Sequence, residues 1–155
     1  MVAVPVLLFV LYQPGALPTW GLVFLAALLG MNELFAMTLA DKTDRRVSLA
    51  LGAIACAALF WLHPDALAAG PRSLSLLGVG PMVALFLAVV PVGLYYLFRF
   101  GDMQTVAPRI AYSMTGIVYV GFLATFLALT KRDFPSVGGD LVLLILLIAW
   151  VGDTA

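Results

Sequence analysis

The sequence predicts an all-α protein, a polytopic bundle of about six transmembrane helices. Hydrophobic residues make up 64% of the 155 residues, charged residues only 10%, and the mean hydropathy is +1.12. A soluble domain is closer to half apolar and a quarter charged, so this chain has too little polar surface to face water. Its apolar stretches are continuous, without an alternation of period two, which indicates helices rather than barrel strands.

Six apolar stretches define the predicted helices in chain order. The first, 1–12, is short for a span, since a bilayer core needs roughly 20 apolar residues per helix. It also lacks the basic start and the small-residue cleavage site of a signal peptide. The other five stretches are expected at about 18–40, 47–62, 74–98, 110–130 and 141–155.

The connections between these stretches hold nearly all the charge and predict the orientation of the chain. Two of them, 41–46 and 99–109, contain five Lys and Arg, against three in the other connections, 13–19, 63–73 and 131–140. The positive-inside rule therefore places the amino terminus and the two basic connections in the cytoplasm. The formal net charge is zero, which argues against a nucleic-acid partner and against a polybasic membrane anchor.

Two carboxylates stand out against the apolar sequence. Asp153 stands at the tip of the last apolar stretch, where an acidic residue is costly in hydrocarbon and usually functional, and the predicted topology delivers it to the cytoplasmic side. The alternative is a helix-end residue whose carboxylate solvates the helix terminus. Glu33 lies within the second stretch, about 10 Å of helix rise before Asp41. It must face protein or water, with Asn32 as a neighbouring hydrogen-bonding group. Two interpretations remain: an interhelical hydrogen bond, or the lining of a polar cavity open to the cytoplasm.

Other polar and small residues favour structural roles. His63 has only Asp65 nearby, which is too little for a metal site. The single cysteine, Cys56, cannot form an internal disulfide and is expected to be a small buried residue. Small residues four apart suit close helix packing and permit a homodimer, as in the pairs Ala26 with Gly30 and Gly52 with Cys56.

Several features bear on transport or on enzymatic classes. Pro81 and Pro91 fall in the fourth stretch; broken helices can line transporter sites, although prolines usually only kink a membrane helix. Aromatic residues near the ends of the stretches suit the membrane interface: Tyr12, Trp20, Trp61, Tyr95, Tyr96 and Trp150. The chain has no P-loop, no GxSxG or HExxH pattern and no paired cysteines.

The closing part of the sequence resembles the bacterial phosphatidate cytidylyltransferases, also called CDP-diacylglycerol synthases. The stretch 116–123 (GIVYVGFL) is similar to a G-x-x-Y-x-G helix of that family. The stretch 141–155 (LVLLILLIAWVGDTA) is similar to its apolar helix ending in W-x-x-D-T-x-A-Y. The stretch 31–35 (MNELF) resembles a W-E-F/Y stretch near its first helices, so the similarity follows most of the chain in order.

The resemblance implies an enzyme of phospholipid biosynthesis in the bacterial inner membrane, acting at its cytoplasmic face. Its substrates would be phosphatidate and CTP: a phosphate oxygen of phosphatidate attacks the α-phosphorus of CTP, giving CDP-diacylglycerol and releasing pyrophosphate. The resemblance also implies Mg²⁺ as cofactor, and Asp153 becomes a candidate metal ligand because Mg²⁺ prefers carboxylate and phosphate oxygens. Catalytic residues are not assigned.

The chain departs from the family at its carboxyl end. The family's Ser- and Lys-rich loop and H-G-G-x-x-D-R stretch do not occur in the sequence. Residues 1–155 are therefore expected to be an amino-terminal transmembrane region, truncated before the catalytic signature and inactive alone. Two alternatives are a non-catalytic membrane protein, such as a transporter subunit or scaffold, and another lipid-phosphate transferase with a similar helical half.

Overall fold

The chain is an all-helical bundle, as the sequence predicts. The computed structural model describes residues 3–62, 79–100 and 102–154, with side chains described within those ranges from residue 7 to residue 153. The described helices are α1 (Ala3–Leu11), α2 (Leu17–Thr38), α3 (Lys42–Trp61), α4 (Val79–Arg99), α5 (Met103–Thr115), a π-helical segment (Gly116–Phe122), α6 (Leu123–Asp133) and α7 (Gly138–Thr154). The interpretation of His63 and Asp65, and the predicted start of the fourth helix at residue 74, lie outside the described residues.

Local sequence signals account for where several helices begin. The turn before α2 contains Gly15 at φ 89°, a left-handed conformation that glycine adopts without strain, and Pro18 lies in the first turn of α2. The Asp41 carboxylate accepts from the Thr43 N–H at 2.8 Å and caps α3. Asp102 caps α5 in the same way.

Three helices in the described part of the chain are long and apolar enough to cross a membrane. They are Leu17–Thr38, Val79–Arg99 and the continuous rod Met103–Asp133, which joins α5, the π-helical segment and α6. This assignment rests on their length and composition. Together with the all-helical architecture, these helices indicate a membrane protein.

The core lies where α2, α3, α4 and the π-helical segment meet, and glycines let these helices approach closely. A Cβ on Gly52 would stand 2.8 Å from the Met31 Sδ, and one on Gly121 would stand 2.8 Å from the Cys56 Sγ. Gly116 lies against the Phe35 ring in the same way. The prediction that Cys56 is a small buried residue is confirmed.

The two ends of the bundle gather different connections. The region around Asp41 contacts the end of α4 through Arg99, so the two basic connections of the sequence lie at one end. At the other end, Tyr12 after α1 contacts Asp140 of α7.

The predicted lengths of the two basic connections were wrong. Residues 42–46 and 103–109 are helical, because Asp41 and Asp102 cap α3 and α5 earlier than hydropathy indicates.

Candidate functional site: an ion-pair cluster at one end of the bundle

The start of α3 places a carboxylate inside the bundle. Capping by Asp41 begins the helix early, so Asp44 stands in its first turn, one turn before Ser48 on the same face. That face continues through Gly52 and Cys56, which are buried against neighbouring helices. Asp44 therefore points toward the packed interior, although it is only three residues from the end of a connection.

Three donors surround the Asp44 carboxylate, whose side chain is 0% exposed. The Arg109 guanidinium donates to it at 2.5 Å, the Arg99 Nε lies 3.2 Å away, and the Tyr95 hydroxyl donates at 3.0 Å. A buried charge is tolerated only when it is paired and hydrogen-bonded in this way. We call Asp41, Asp44, Tyr95, Arg99 and Arg109 the ion-pair cluster.

Arg99 and Arg109 are also held by aromatic rings and by a second carboxylate. Arg99 donates to Asp41 at 2.6 Å, and the Arg109 guanidinium lies 4.1 Å from the centroid of the Phe100 ring. The N–H of Thr43 and the Arg99 guanidinium hold the pKa of Asp41 below its ordinary value of 3.8. The two arginines are thus fixed in position while their side chains remain 35% and 28% exposed.

A ring of three hydroxyl groups lies deeper than the ion pairs. Ser48, Tyr96 and Ser113 come from α3, α4 and α5, and all three are buried. Their oxygens are 2.8 Å apart between Ser48 and Ser113, and 3.0 Å apart in the other two pairs. Each hydroxyl can donate once and accept once around the ring, so the polar groups are satisfied without water. The ring ties together the helices that carry the ion-pair cluster.

This end of the bundle has an excess of positive charge. The connections and helix ends there carry five basic residues and four acidic ones: Lys42, Arg45, Arg46, Arg99 and Arg109 against Asp41, Asp44, Asp102 and Asp153. Guanidinium groups bind phosphate through paired N–H donors and stay charged in any ordinary environment. The arrangement therefore suits an anionic, phosphate-bearing ligand at a membrane boundary.

The opposite end uses its cations differently. The buried Lys131 ammonium donates to backbone carbonyl oxygens at the end of α1: to Leu11, to Gln13 at 3.0 Å and to Val10 at 3.4 Å. A cation at the carboxyl end of a helix donates hydrogen bonds to the free carbonyl groups and interacts favourably with the negative end of the helix dipole. Lys131 also borders an open cleft of about 430 Å³ between the connection from α1 to α2 and the connection from α6 to α7.

The structure separates the residues that the sequence proposes for a site. Asp153 is exposed in the last turn of α7, far along that helix from Asp140 and toward the end of the bundle that holds the ion-pair cluster. Asn32 and Glu33 are exposed on α2, on the face opposite the buried Met31 and Phe35. In the described chain their side chains lie on the outside of the bundle and not between two helices.

The described residues do not form a complete metal site. No three His, Cys, Asp or Glu side chains within them come together as metal ligands. Asp41 and Asp44 are occupied by arginines, and Asp153 offers a single carboxylate. A Mg²⁺ ion usually takes six oxygen ligands, several of them from water and substrate phosphates, so Asp153 alone is an insufficient protein contribution.

Sequence reasoning missed the residues that the structure brings together. Asp44 was assigned to a connection, and Ser48 and Ser113 were not singled out. Tyr96 was expected near the interface, yet it is fully buried. One signal was present: Asp44, Ser48 and Gly52 are four residues apart, which places two polar groups on the small-residue face of α3.

The fold and the cluster define a helical membrane protein with a phosphate-compatible cationic end, and comparison with known families agrees. The whole chain, residues 1–155, matches the cytidylyltransferase family. The chain therefore belongs to this family, whose members are the phosphatidate cytidylyltransferases. No curated protein and no solved structure matches it. The resemblance seen in the sequence is confirmed, and the alternative of a transporter subunit or scaffold is not favoured.

Proposed function

We propose that the chain supplies the membrane-embedded helical region in which a phosphatidate cytidylyltransferase joins CTP to phosphatidate in phospholipid biosynthesis. The single observation that carries this proposal is the family match over all of residues 1–155. In the reaction, a phosphate oxygen of phosphatidate forms a bond to the α-phosphorus of CTP. The bond from that phosphorus to the β-phosphate bridging oxygen breaks, and pyrophosphate leaves.

The end of the bundle that carries the ion-pair cluster is proposed to face the cytoplasm, in a bacterial inner membrane. The positive-inside rule supports this orientation, because five of the eight Lys and Arg lie at that end. CTP is confined to water and the acyl chains of phosphatidate to hydrocarbon. The two substrates therefore meet only at a boundary, and fixed positive charge there offsets the charge of two phosphorylated reactants.

Mg²⁺ is proposed as the cofactor, with Asp153 as one of its ligands. Support comes from the exposed position of this carboxylate at the end of α7, toward the proposed cytoplasmic face. Bound Mg²⁺ would neutralise phosphate charge. The remaining ligands would come from groups other than the described side chains, including water and the substrates.

A radiolabel assay tests the function. Membranes containing the natural reading frame that includes residues 1–155 are supplied with phosphatidate and CTP labelled at either the α- or the γ-phosphate. Label from the α-phosphate should enter the lipid fraction, and label from the γ-phosphate should appear in pyrophosphate. Absence of α-label in lipid would refute the proposal. Product from residues 1–155 expressed alone would show that they suffice for the reaction.

The metal role is tested by binding as well as by turnover. In the same membranes, Asp153→Asn should raise the Mg²⁺ concentration needed for half-maximal activity by about tenfold or more. Mn²⁺ binding followed by electron paramagnetic resonance should weaken in parallel. Asp133→Asn, at the opposite end, is the matched control. Equal Mn²⁺ affinity in the Asp153→Asn and Asp133→Asn proteins would remove Asp153 from the metal site.

A further inference from the structure

A shallow and largely open depression, whose described lining comes from α4 alone, runs along the outward face of α4 and ends at the ion-pair cluster; we call it the groove. It has a volume of about 640 Å³ and is lined by Pro91, Leu94, Tyr95, Phe98 and Arg99. The eight residue-to-residue steps from the first to the last of these span about 12 Å of helix axis. Half of a typical hydrocarbon core is about 15 Å thick, so the groove extends over most of one leaflet.

The lining of the groove changes from apolar to cationic along its length. Leu94 and Phe98 are exposed apolar side chains, and the exposed fraction of Phe98 reaches 87%. Arg99, at the last turn of α4, then places a guanidinium at the membrane boundary. This order matches a phospholipid, whose acyl chain lies in hydrocarbon and whose phosphate lies at the surface.

Arg99 has hydrogen-bonding capacity left for a ligand. A guanidinium has five N–H donors, and the described contacts of Arg99 use its Nε toward Asp44 and one terminal nitrogen toward Asp41. These carboxylates hold the guanidinium in place, which lowers the entropy lost when it binds a phosphate. The surrounding excess of Lys and Arg further attracts an anionic headgroup.

We propose that this groove is a phosphatidate site, with one acyl chain lying along Leu94 and Phe98 and the phosphate bound by Arg99. Phosphatidate carries a phosphomonoester, which has more negative charge and more acceptor oxygens than the phosphodiester of other anionic lipids. Arg99 is thus a substrate-binding residue, and Asp41 and Asp44 are positioning residues. The choice of phosphatidate among anionic lipids rests on the proposed function, whereas the site itself rests on the groove and its cation.

The site can be located with a photoreactive phosphatidate that carries a diazirine midway along one acyl chain. The protein is placed with this lipid in phosphatidylcholine nanodiscs, irradiated and digested, and the labelled peptides are identified by mass spectrometry. Label is expected on the peptide containing Leu94 and Phe98. Unlabelled phosphatidate should compete better than phosphatidylglycerol. Glycerol 3-phosphate, which has the phosphate without the chains, should compete poorly. Labelling spread evenly over all exposed helices would overturn the proposal.

Substitution of the cation gives the quantitative test. Arg99→Gln should weaken phosphatidate binding about tenfold. The reason is that one charge-assisted hydrogen bond to phosphate contributes roughly the binding free energy that corresponds to a tenfold change in Kd. Arg99→Lys should retain part of the affinity. Arg46→Gln removes the same charge from an exposed position of α3 outside the groove and should change binding less than about twofold. If Arg99→Gln and Arg46→Gln lost phosphatidate affinity equally, binding would depend on general surface charge and not on a site at Arg99.

Two further variants keep the proposal testable if Arg99→Gln fails to fold. Leu94→Trp fills the groove and leaves the ion pairs unchanged, so it should reduce labelling without altering Arg99. Asp41→Asn loosens one of the two contacts that position the Arg99 guanidinium and should weaken phosphatidate binding, by less than Arg99→Gln does. Unchanged labelling in Leu94→Trp, or tighter binding in Asp41→Asn, would contradict the proposed pose.

The two proposals fail in different ways. If α-label enters lipid in the cytidylyltransferase assay but Arg99→Gln changes neither phosphatidate affinity nor the KM for phosphatidate, the groove is not the substrate site and the function stands. If no turnover occurs but phosphatidate still labels the groove with the stated Arg99 dependence, the lipid site stands and the proposed reaction does not.

Discussion

The two ends of the bundle both contain buried charge, yet they neutralise it by different means. At one end, Asp44 is surrounded by Arg99, Arg109 and Tyr95, so charge is balanced by side chains from other helices. At the other end, Lys131 donates to carbonyl oxygens at the end of α1, so charge is balanced by backbone dipoles. The first arrangement joins three helices and leaves the guanidinium groups partly exposed, whereas the second attaches one short helix.

This difference suggests a division between ligand binding and attachment. Arg99 and Arg109 retain exposed surface and can serve a phosphate ligand. Lys131 is buried and its described contacts are with backbone oxygens, which suits a structural link. The end with the ion-pair cluster is accordingly the one that we propose for lipid and nucleotide.

The largest effect is expected from Asp44→Asn. The change leaves Arg109 without a carboxylate and Arg99 with Asp41 alone, and loss of one member of a buried ion pair costs about 3 kcal/mol or more. The free energy of unfolding in detergent micelles, followed by circular dichroism, measures the loss. Asp102→Asn is the control, since asparagine caps a helix as well as aspartate does. A loss below about 1 kcal/mol for Asp44→Asn would mean that the cluster does not hold this end together.

A smaller and more local effect is expected from Lys131→Met. Methionine keeps much of the apolar stem but removes the donor to the α1 carbonyl oxygens, which should cost about 1–2 kcal/mol. Hydrogen exchange should show α1 exchanging faster while α3 and α4 keep their protection. Lys42→Met, an exposed lysine at the start of α3, controls for the lost charge. Faster exchange throughout the bundle would contradict a purely local role for Lys131.

The smallest effects are expected from pH, with opposite signs at the two ends. The pKa of Asp41 is held below 3.8 by the Thr43 N–H and by Arg99, so its contribution to stability is present above pH 3.8 and is lost as the pH falls through the lowered value. The pKa of Tyr12 is raised above 10.0 by its hydrogen bond to Asp140, so its contribution is present below pH 10.0 and is lost as the pH rises through the raised value.

Two variants assign these pH effects to the two ends. Asp41→Asn should flatten the acid limb of the stability profile, and Tyr12→Phe should flatten the alkaline limb. Thermal unfolding in detergent across the pH range measures both limbs. If either variant flattened the limb assigned to the other, the attribution to separate ends would be wrong.

Much of the fold could be predicted from hydropathy because each membrane helix corresponds to one continuous apolar stretch of the sequence. The predicted second stretch, 18–40, agrees closely with α2 (Leu17–Thr38), and the fourth, 74–98, ends one residue before α4 does. The starts of α3 and α5 were placed too late, since charged residues such as Asp44 and Arg109 lower hydropathy even where they are helical and paired. Hydropathy measures transfer of isolated side chains and does not register neutralisation by a distant partner.

The proposed site was less accessible to sequence reasoning than the fold. Glu33 and Asp153 attracted attention as carboxylates next to apolar sequence, and both stay predictions, since they lie exposed and apart in the described structure. The residues that do assemble, such as Asp44 with Arg109, are 65 positions apart. No local pattern in the chain relates them.

By itself the sequence determined the solvent, the helices and the family, because composition, apolar length and the stretches 116–123 and 141–155 are local properties. Only the tertiary structure decided which charges are paired, that Tyr96 is buried in a hydroxyl ring, and that an apolar groove on α4 ends at Arg99. The reason is that the sequence shows the same Asp or Arg whether its charged group is solvated or paired. Their roles depend on distances between helices, which packing sets.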